Sequence, residues 1–433
     1  MVDYIIVGGG IGGLQIAALL VDKGFSVKVF EKSSHVGGRA FVWEKDGYLV
    51  DNGLHLIRFG KKSAIAGVFS KLGKKIDFLP VGKSFLYDVN GKISVFPTSP
   101  LSFMTTNLLT VTEKLSAIKY LLKIKGIKDK WKDYLDISVK SWLDDNGIEG
   151  NLRKYFELVA GSMQVCPFVD KTSVGEMFDN VSKVLNTGIS VMYPKGGWKP
   201  LFDFLIEKIN KNGEIVLNAK VEKIIIKDGK ATGIIVDSKE YSAENIIINI
   251  PVQEMFEVTG EDVAPKEYYQ KMKNLVPTSG VVIDLGLKKE VSKLNGLVYF
   301  YKPMAFGMFT SNIDKSVAPK GKQLLTFFYP TSYEDMVNND QRELRKKEIM
   351  DKIFEIWPDL KENIEWERIA TLKMVDGAQV NVNQTRDLRS GYKFPGVDSL
   401  YLVGDSLGAA GSGGDIVHES VHGVYREITG EDI

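Results

Sequence analysis

Two hydrophobic periods alternate along this chain, and the switches between them predict its elements. Tyr4 to Val7 is an apolar, partly β-branched run, the pattern of a strand buried on both faces. Glycines follow at once, and from Leu14 to Val21 the apolar positions recur at helical spacing, with Ala17 and Ala18 allowing close packing. Ser26 to Phe30 predicts a second strand. Strand, tight turn, helix, strand is the opening of a parallel α/β sheet. Val221 to Ile226, the Asp228-Gly229 turn and Ala231 to Val236 predict a hairpin, Ile246 to Ile250 a closing strand, and Leu400 to Val403 a last strand before a helix over Ile416 to Ile428. Between these lie strand-like runs at Gly280 to Leu287, Leu297 to Tyr301, Ala305 to Thr310 and Leu324 to Tyr329, and a helical pattern at Gln341 to Trp357. They predict a second sheet with helices on one side.

The first turn carries chemistry. Gly8, Gly10 and Gly13 fit G-x-G-x-x-G, with Ile11 and Gly12 inside it. In that pattern the first glycine permits the turn, the second lets the backbone approach a pyrophosphate, and the third lets helix and strand touch. Free N–H groups and the helix dipole then face the phosphates. The second strand ends in Glu31, followed by Lys32. Glu31 lies eighteen positions beyond Gly13, close to the spacing at which an acid accepts ribose hydroxyls.

Two further motifs follow: Gly37-Gly38-Arg39, then Asp51-Asn52-Gly53-Leu54-His55. Near the other end, Gly404-Asp405-Ser406 and the glycine-rich run Gly408 to Gly414 lead through Asp415 and Ile416 into the last helix, and Pro194-Lys195-Gly196-Gly197 precedes an amphipathic helix. With these the sequence resembles the flavin-containing amine oxidase and phytoene desaturase superfamily. The resemblance implies a discontinuous Rossmann-like FAD-binding domain (1–80, 191–260 and 391–433) and an inserted α+β substrate domain (81–190 and 261–390), an α/β fold overall. It implies non-covalent FAD held by Gly8, Gly10, Ile11, Gly12, Gly13, Glu31, Lys32, Gly38, Arg39, Gly53, Leu54, His55, Val221, Gly404, Asp405, Gly413, Gly414, Asp415 and Ile416. In that family the G-G-R loop lies along the diphosphate, the residue at the position of Val221 reaches the adenine, the Asp after Gly accepts from the ribitol chain, and the last helix faces the flavin. No second G-x-G-x-x-G follows a strand, so the organic substrate itself is expected to exchange a hydride with flavin N5.

Three functions stay open. The leading one is a phytoene desaturase-like oxidoreductase acting on a lipophilic, isoprenoid-derived compound. An amine oxidase would need an aromatic cage, for which Tyr392, Phe394 and Tyr401 are the residues available before Gly404. Proteins resembling Rab GDP-dissociation inhibitors keep this architecture but bind prenylated partners without flavin chemistry. His55, one of four histidines, and Lys199 are the candidates for a catalytic role. Arg386 and Arg389 are candidates for closing the pocket, and Phe103, Phe156, Phe168, Met177, Phe178, Phe306, Met308 and Phe309 for lining it.

A net charge of +1 removes the broad positive field of a non-specific nucleic-acid binder. The single cysteine, Cys166, excludes internal disulfides and Cys-ligated metal sites. No metal is expected, and a reducing cytoplasm is the expected location. Met1 to Val7 reads as a strand rather than a signal peptide, and no apolar run approaches the ~18–20 residues of a membrane span. Residues 99–140 interleave apolar positions with lysines. That pattern reads either as peripheral contact with an anionic membrane or as a solvated helix over the substrate domain.

Overall fold

A computed structural model describes residues 1–433, the side chain of Pro100 excepted. Five parallel strands form the middle of the first sheet, in the order Gly213–Val216, Val27–Phe30, Val2–Val7, Lys239–Ile248, Leu400–Leu402. The register decides where the chemistry lies. Phe30, Val7, Ile248 and Leu402 stand in one row across the sheet. The residues that follow them, Glu31, Gly8, Asn249 and Val403, therefore emerge along one edge, the carboxyl edge at which parallel sheets bind ligands.

Helix Ile11–Asp22 covers one face of this sheet, and it is buried nearly all round because helices Lys199–Ile209 and Gly414–Thr429 pack against it. Ala17 and Ala18, both fully buried, let these helices approach. The other face carries the antiparallel ribbon Val221–Lys227 and Lys230–Val236, paired onto the far end of Lys239–Ile248.

The second sheet has the order Ile364–Leu372, Ser279–Leu287, Gln323–Thr331, Ala305–Phe309, Val298–Phe300, Phe85–Tyr87, Ile93–Val95, antiparallel except between the strands at Val298 and Phe85. Strand period sorts its side chains. Val281, Ile283 and Leu285 face helix Asn339–Ile356, with Ile349, Ile353 and Trp357 in the same core. Val282, Tyr299, Phe306 and Phe328 face the opposite way, toward helices Val139–Asp145, Gly150–Met163 and Val174–Thr187. A pair within the second sheet reaches toward the motif: Asp284 binds Arg368 at 2.6 Å, and Arg368 also donates to Asn52 in the Asp51-Asn52-Gly53 turn.

Candidate active site

A cavity of about 620 Å³ opens along the carboxyl edge of the first sheet and continues to the inner face of the second. The glycine turn forms one wall. Gly8 adopts φ +102°, and a Cβ there would lie 2.7 Å from the Asn249 carbonyl oxygen. A Cβ on Gly10 would come within 2.9 Å of the Asn249 amide nitrogen, and one on Gly12 within 2.5 Å of Val417. The loop is thus closed down on the strand end and the last helix, which leaves the groove in front of it free for a ligand backbone. Glu31, 6% exposed, holds this geometry: its carboxylate accepts from Gly9 N–H at 2.7 Å and Ser33 N–H at 2.8 Å. Its position at the strand end leaves it lining the cavity with Lys32 and Val221.

The N-terminal and C-terminal motifs meet here. Arg39 Nη2 lies 2.8 Å from Asp405 Oδ1, and the other Asp405 oxygen accepts from Gly377 N–H at 2.9 Å. Arg39 was expected on phosphate and Asp405 on ribitol. Here each binds the other, and both line the cavity. Arg58 binds Asp415 at 2.5 Å and donates to the Ser412 and Met163 carbonyls, so the glycine-rich loop is fastened to the end of helix Gly150–Met163. Gly413 (φ +58°) and Gly414 then start the last helix at the cavity wall. Asp376, bonded to the Thr278 hydroxyl at 2.8 Å, sits beside them. Burial, then the negative charge of Asp405, pushes its carboxyl up to about 6.

Two imidazoles face the same space. His55 Nε2 is 3.2 Å from the Asn52 carbonyl, and since a carbonyl only accepts, the proton is on Nε2 and Nδ1 is left as an acceptor. His418 Nδ1 is 2.9 Å from the Gln15 amide nitrogen, which also donates to the Ile11 carbonyl. His418 therefore accepts at Nδ1 and carries its proton on Nε2. Trp198 lies between the two rings, 5.4 Å from His55 and 6.0 Å from His418. Burial pushes His55 down to about 4 and, with the neighbouring imidazoles, His418 down to about 3, so both are neutral near pH 7. Asp51 anchors this corner through the Tyr193 hydroxyl at 2.7 Å and Trp198 N–H at 3.1 Å.

Most of the expected residues come together at this cavity, but several do not. Gly13 lies inside the helix, where a Cβ would run into the Gly8 carbonyl, and Ile416 packs with Val380 and Ala409; both shape the site without lining it. Lys199 is corrected: it is exposed, its ammonium is 3.1 Å from Asp203, and it lies outside the cavity. Arg386 and Arg389 do not close the pocket. They form a buried cluster with Glu176 and Asp179 that ties helix Val174–Thr187 to the segment preceding strand Leu400–Leu402. Phe394 is core, Tyr392 packs on Gly423, and neither they nor Tyr401 line the cavity, so no aromatic cage forms from them. Of the apolar candidates Phe306 lines it. Cys166 is a buried thiol, its pKa raised to about 11 by burial. Sequence reasoning passed over Asn249, Trp198, His418, Arg58 and Asp376. Asn249 had a signal, a polar residue ending an apolar strand before Pro251; Arg58 and Asp376 had none.

The family of flavin containing amine oxidoreductases matches residues 11–419. The chain belongs to this family. It is 24% identical to a chloroplastic prolycopene isomerase of Daucus carota, over 93% of this chain and 76% of that one, and 22% identical to a 4,4'-diapolycopen-4-al dehydrogenase of Metabacillus indicus, over 84% and 82%. An oxidoreductase from Methanosarcina mazei has the same fold, with a TM-score of 0.83 at 21% identity, covering 98% of this chain and 100% of that one. The protein is an FAD-dependent oxidoreductase with a Rossmann-like flavin-binding fold.

Proposed function

We propose that the protein dehydrogenates, or saturates in reverse, a lipophilic isoprenoid-derived compound. The observation that carries this reading is the apolar part of the cavity described above. Val282, Leu297, Tyr299, Phe306, Phe328, Leu372 and Met374 give it an apolar wall, while the carboxylates Asp376, Asp405 and Asp415 that also line it are bound to Thr278, Arg39 and Arg58. Such a wall suits a hydrocarbon, and Asp405 and Asp415 are already paired with Arg39 and Arg58 rather than left for an alkylammonium. The related carotenoid enzymes support the same substrate class.

The residues present fit non-covalent FAD. Gly8, Gly10 and Gly12 let the loop close onto Asn249 and Val417, which leaves the groove before it open for a diphosphate; Glu31 and Val221 suit the adenosine half, and Arg39, Asp405 and Gly413 to Asp415 suit the other. Bound there, FAD supplies a two-electron acceptor for a substrate C–H bond. The chain does the rest: its apolar wall excludes water, the Arg39–Asp405 pair holds the two glycine loops together, and neutral His55 offers Nδ1 to orient the substrate. The division into a flavin domain of 1–80, 191–260 and 391–433 and a substrate domain of 81–190 and 261–390 is part of this reading. It is tested by anaerobic mixing of the FAD-loaded protein with isoprenoid hydrocarbons and with primary amines or diamines. Bleaching of the flavin by a hydrocarbon is the expected result; bleaching by amines alone would replace this function with amine oxidation.

A further inference from the structure

Helix Val111–Lys125 bears on both readings of residues 99–140. Its inner side holds Ala117 and Ile124, both buried, and Leu121 packs with them. Val111, Leu115, Ile118 and Leu122 point outward, with 74, 64, 46 and 64% of their surfaces exposed. At 3.6 residues per turn these four fall within about 60° of arc, one continuous stripe. Beside it, on helix Pro100–Thr105, Leu101 and Met104 are 67 and 77% exposed. A soluble protein scatters exposed apolar residues, so six of this size on two adjoining helices mark a contact surface.

Charge identifies the partner. Lys114 and Lys125 border the stripe on one side and Lys119 on the other, and none of them enters an ion pair among the described residues. The one acid of this helix, Glu113, is taken up inside the protein: it caps Thr110 and accepts from Asn151 N–H at 2.9 Å. Apolar side chains framed by lysines without a carboxylate partner suit an interface in which acyl chains lie beneath anionic headgroups. Among the described residues no helix is long and apolar enough to cross a membrane, so the contact would be peripheral.

A stack of aromatic rings connects this surface to the cavity wall. Phe103, on the same short helix as Leu101 and Met104, packs on Tyr155 at 5.3 Å; Tyr155 meets Phe96 at 5.4 Å, and Phe96 meets Tyr299 at 4.6 Å. Tyr299 is part of the apolar cavity wall. We propose that the face formed by Leu101, Met104, Val111, Leu115, Ile118 and Leu122 docks on an anionic lipid bilayer and sets the apolar end of the cavity against it. The docking itself stands on this surface alone; only its use for substrate delivery rests on the lipophilic substrate proposed above.

The test is flotation of the FAD-loaded full chain with vesicles of phosphatidylcholine alone and with added phosphatidylglycerol, for the wild type and for the double variant L115E/L122E. The wild type should float with anionic vesicles, less so with neutral ones or at raised salt. The variant should lose at least about tenfold in partition while keeping the flavin spectrum and melting temperature of the wild type. Lysine variants K119Q/K125Q should lose the salt-sensitive part. Wild-type protein that ignores anionic vesicles overturns the proposal, as does equal flotation of the variant. A wild-type dimer that fails to float and that L115E/L122E converts to monomer would assign the face to a second copy and also overturn it. Flotation without bleaching by any hydrocarbon would keep the docking and refute the substrate.

Discussion

Replacing Glu31 by alanine tests how the glycine turn is held. The carboxylate accepts two backbone N–H groups, from buried Gly9 and from half-buried Ser33. An N–H left unpaired in the interior costs about 1–3 kcal/mol, and charge-assisted bonds stand at the upper end. Water can reach Ser33, so its share is small, and the expected loss for E31A is about 2–4 kcal/mol in the flavin-free protein. E31Q keeps one acceptor oxygen and should lose about 1 kcal/mol. The flavin-bound state loses more in both variants, because the oxygens facing the cavity are then missing or neutral. Differential scanning fluorimetry of the flavin-free proteins should rank wild type above E31Q above E31A. Fluorescence titration should show FAD affinity falling at least about tenfold in E31A, with E31Q recovering stability better than affinity. Unchanged affinity in E31A would refute the assignment of this edge to the adenosine half.

D405A leaves Arg39 and Gly377 N–H without their partner and should weaken FAD retention on gel filtration, while D405N retains more. E176Q strands Arg389, which is fully buried, and Arg386, and should lower stability by about 3–5 kcal/mol in denaturant titration with little change in FAD affinity. His418 has its folded pKa depressed from 6.5 to about 3, so below pH 6.5 the unfolded chain binds a proton that the folded one does not, and stability falls with pH in that window. Asp51, Asp284 and Asp376, raised to about 6, act oppositely between their ordinary value of 3.8 and 6. H418Q removes one of the opposing terms. Its melting temperature should therefore rise relative to the wild type as pH falls from 6.5 toward 4, and a pH-independent difference would refute a buried neutral imidazole.

The parts of the site legible in the sequence are those built from local chemistry. Gly8 to Gly13, Glu31, Gly38-Arg39 and Gly404-Asp405 each need particular residue types at fixed spacing next to a strand end, and such patterns survive in one dimension. The pairing of Arg39 with Asp405 does not, because it joins residues brought together only by the shared edge of the first sheet. Asp376 lies in an irregular stretch between Thr278 and Asp405, and Arg58 on a two-residue strand; neither carries a periodic signal. Strand Ile364–Leu372 was missed because it is an edge, where Glu365, Glu367 and Arg368 alternate with apolar residues and mimic a solvated segment. Lys199 misled through its place beside Trp198: the indole turns inward, stacked on His418 with His55 tilted against it, while the next residue starts the helix on its solvent side.

The visible spectrum of protein purified without added flavin tests the central claim most directly. The account predicts the bands of oxidised flavin, FAD released intact on denaturation, and loss of those bands when an isoprenoid hydrocarbon is added without oxygen. A colourless protein that also fails to take up added FAD would contradict it.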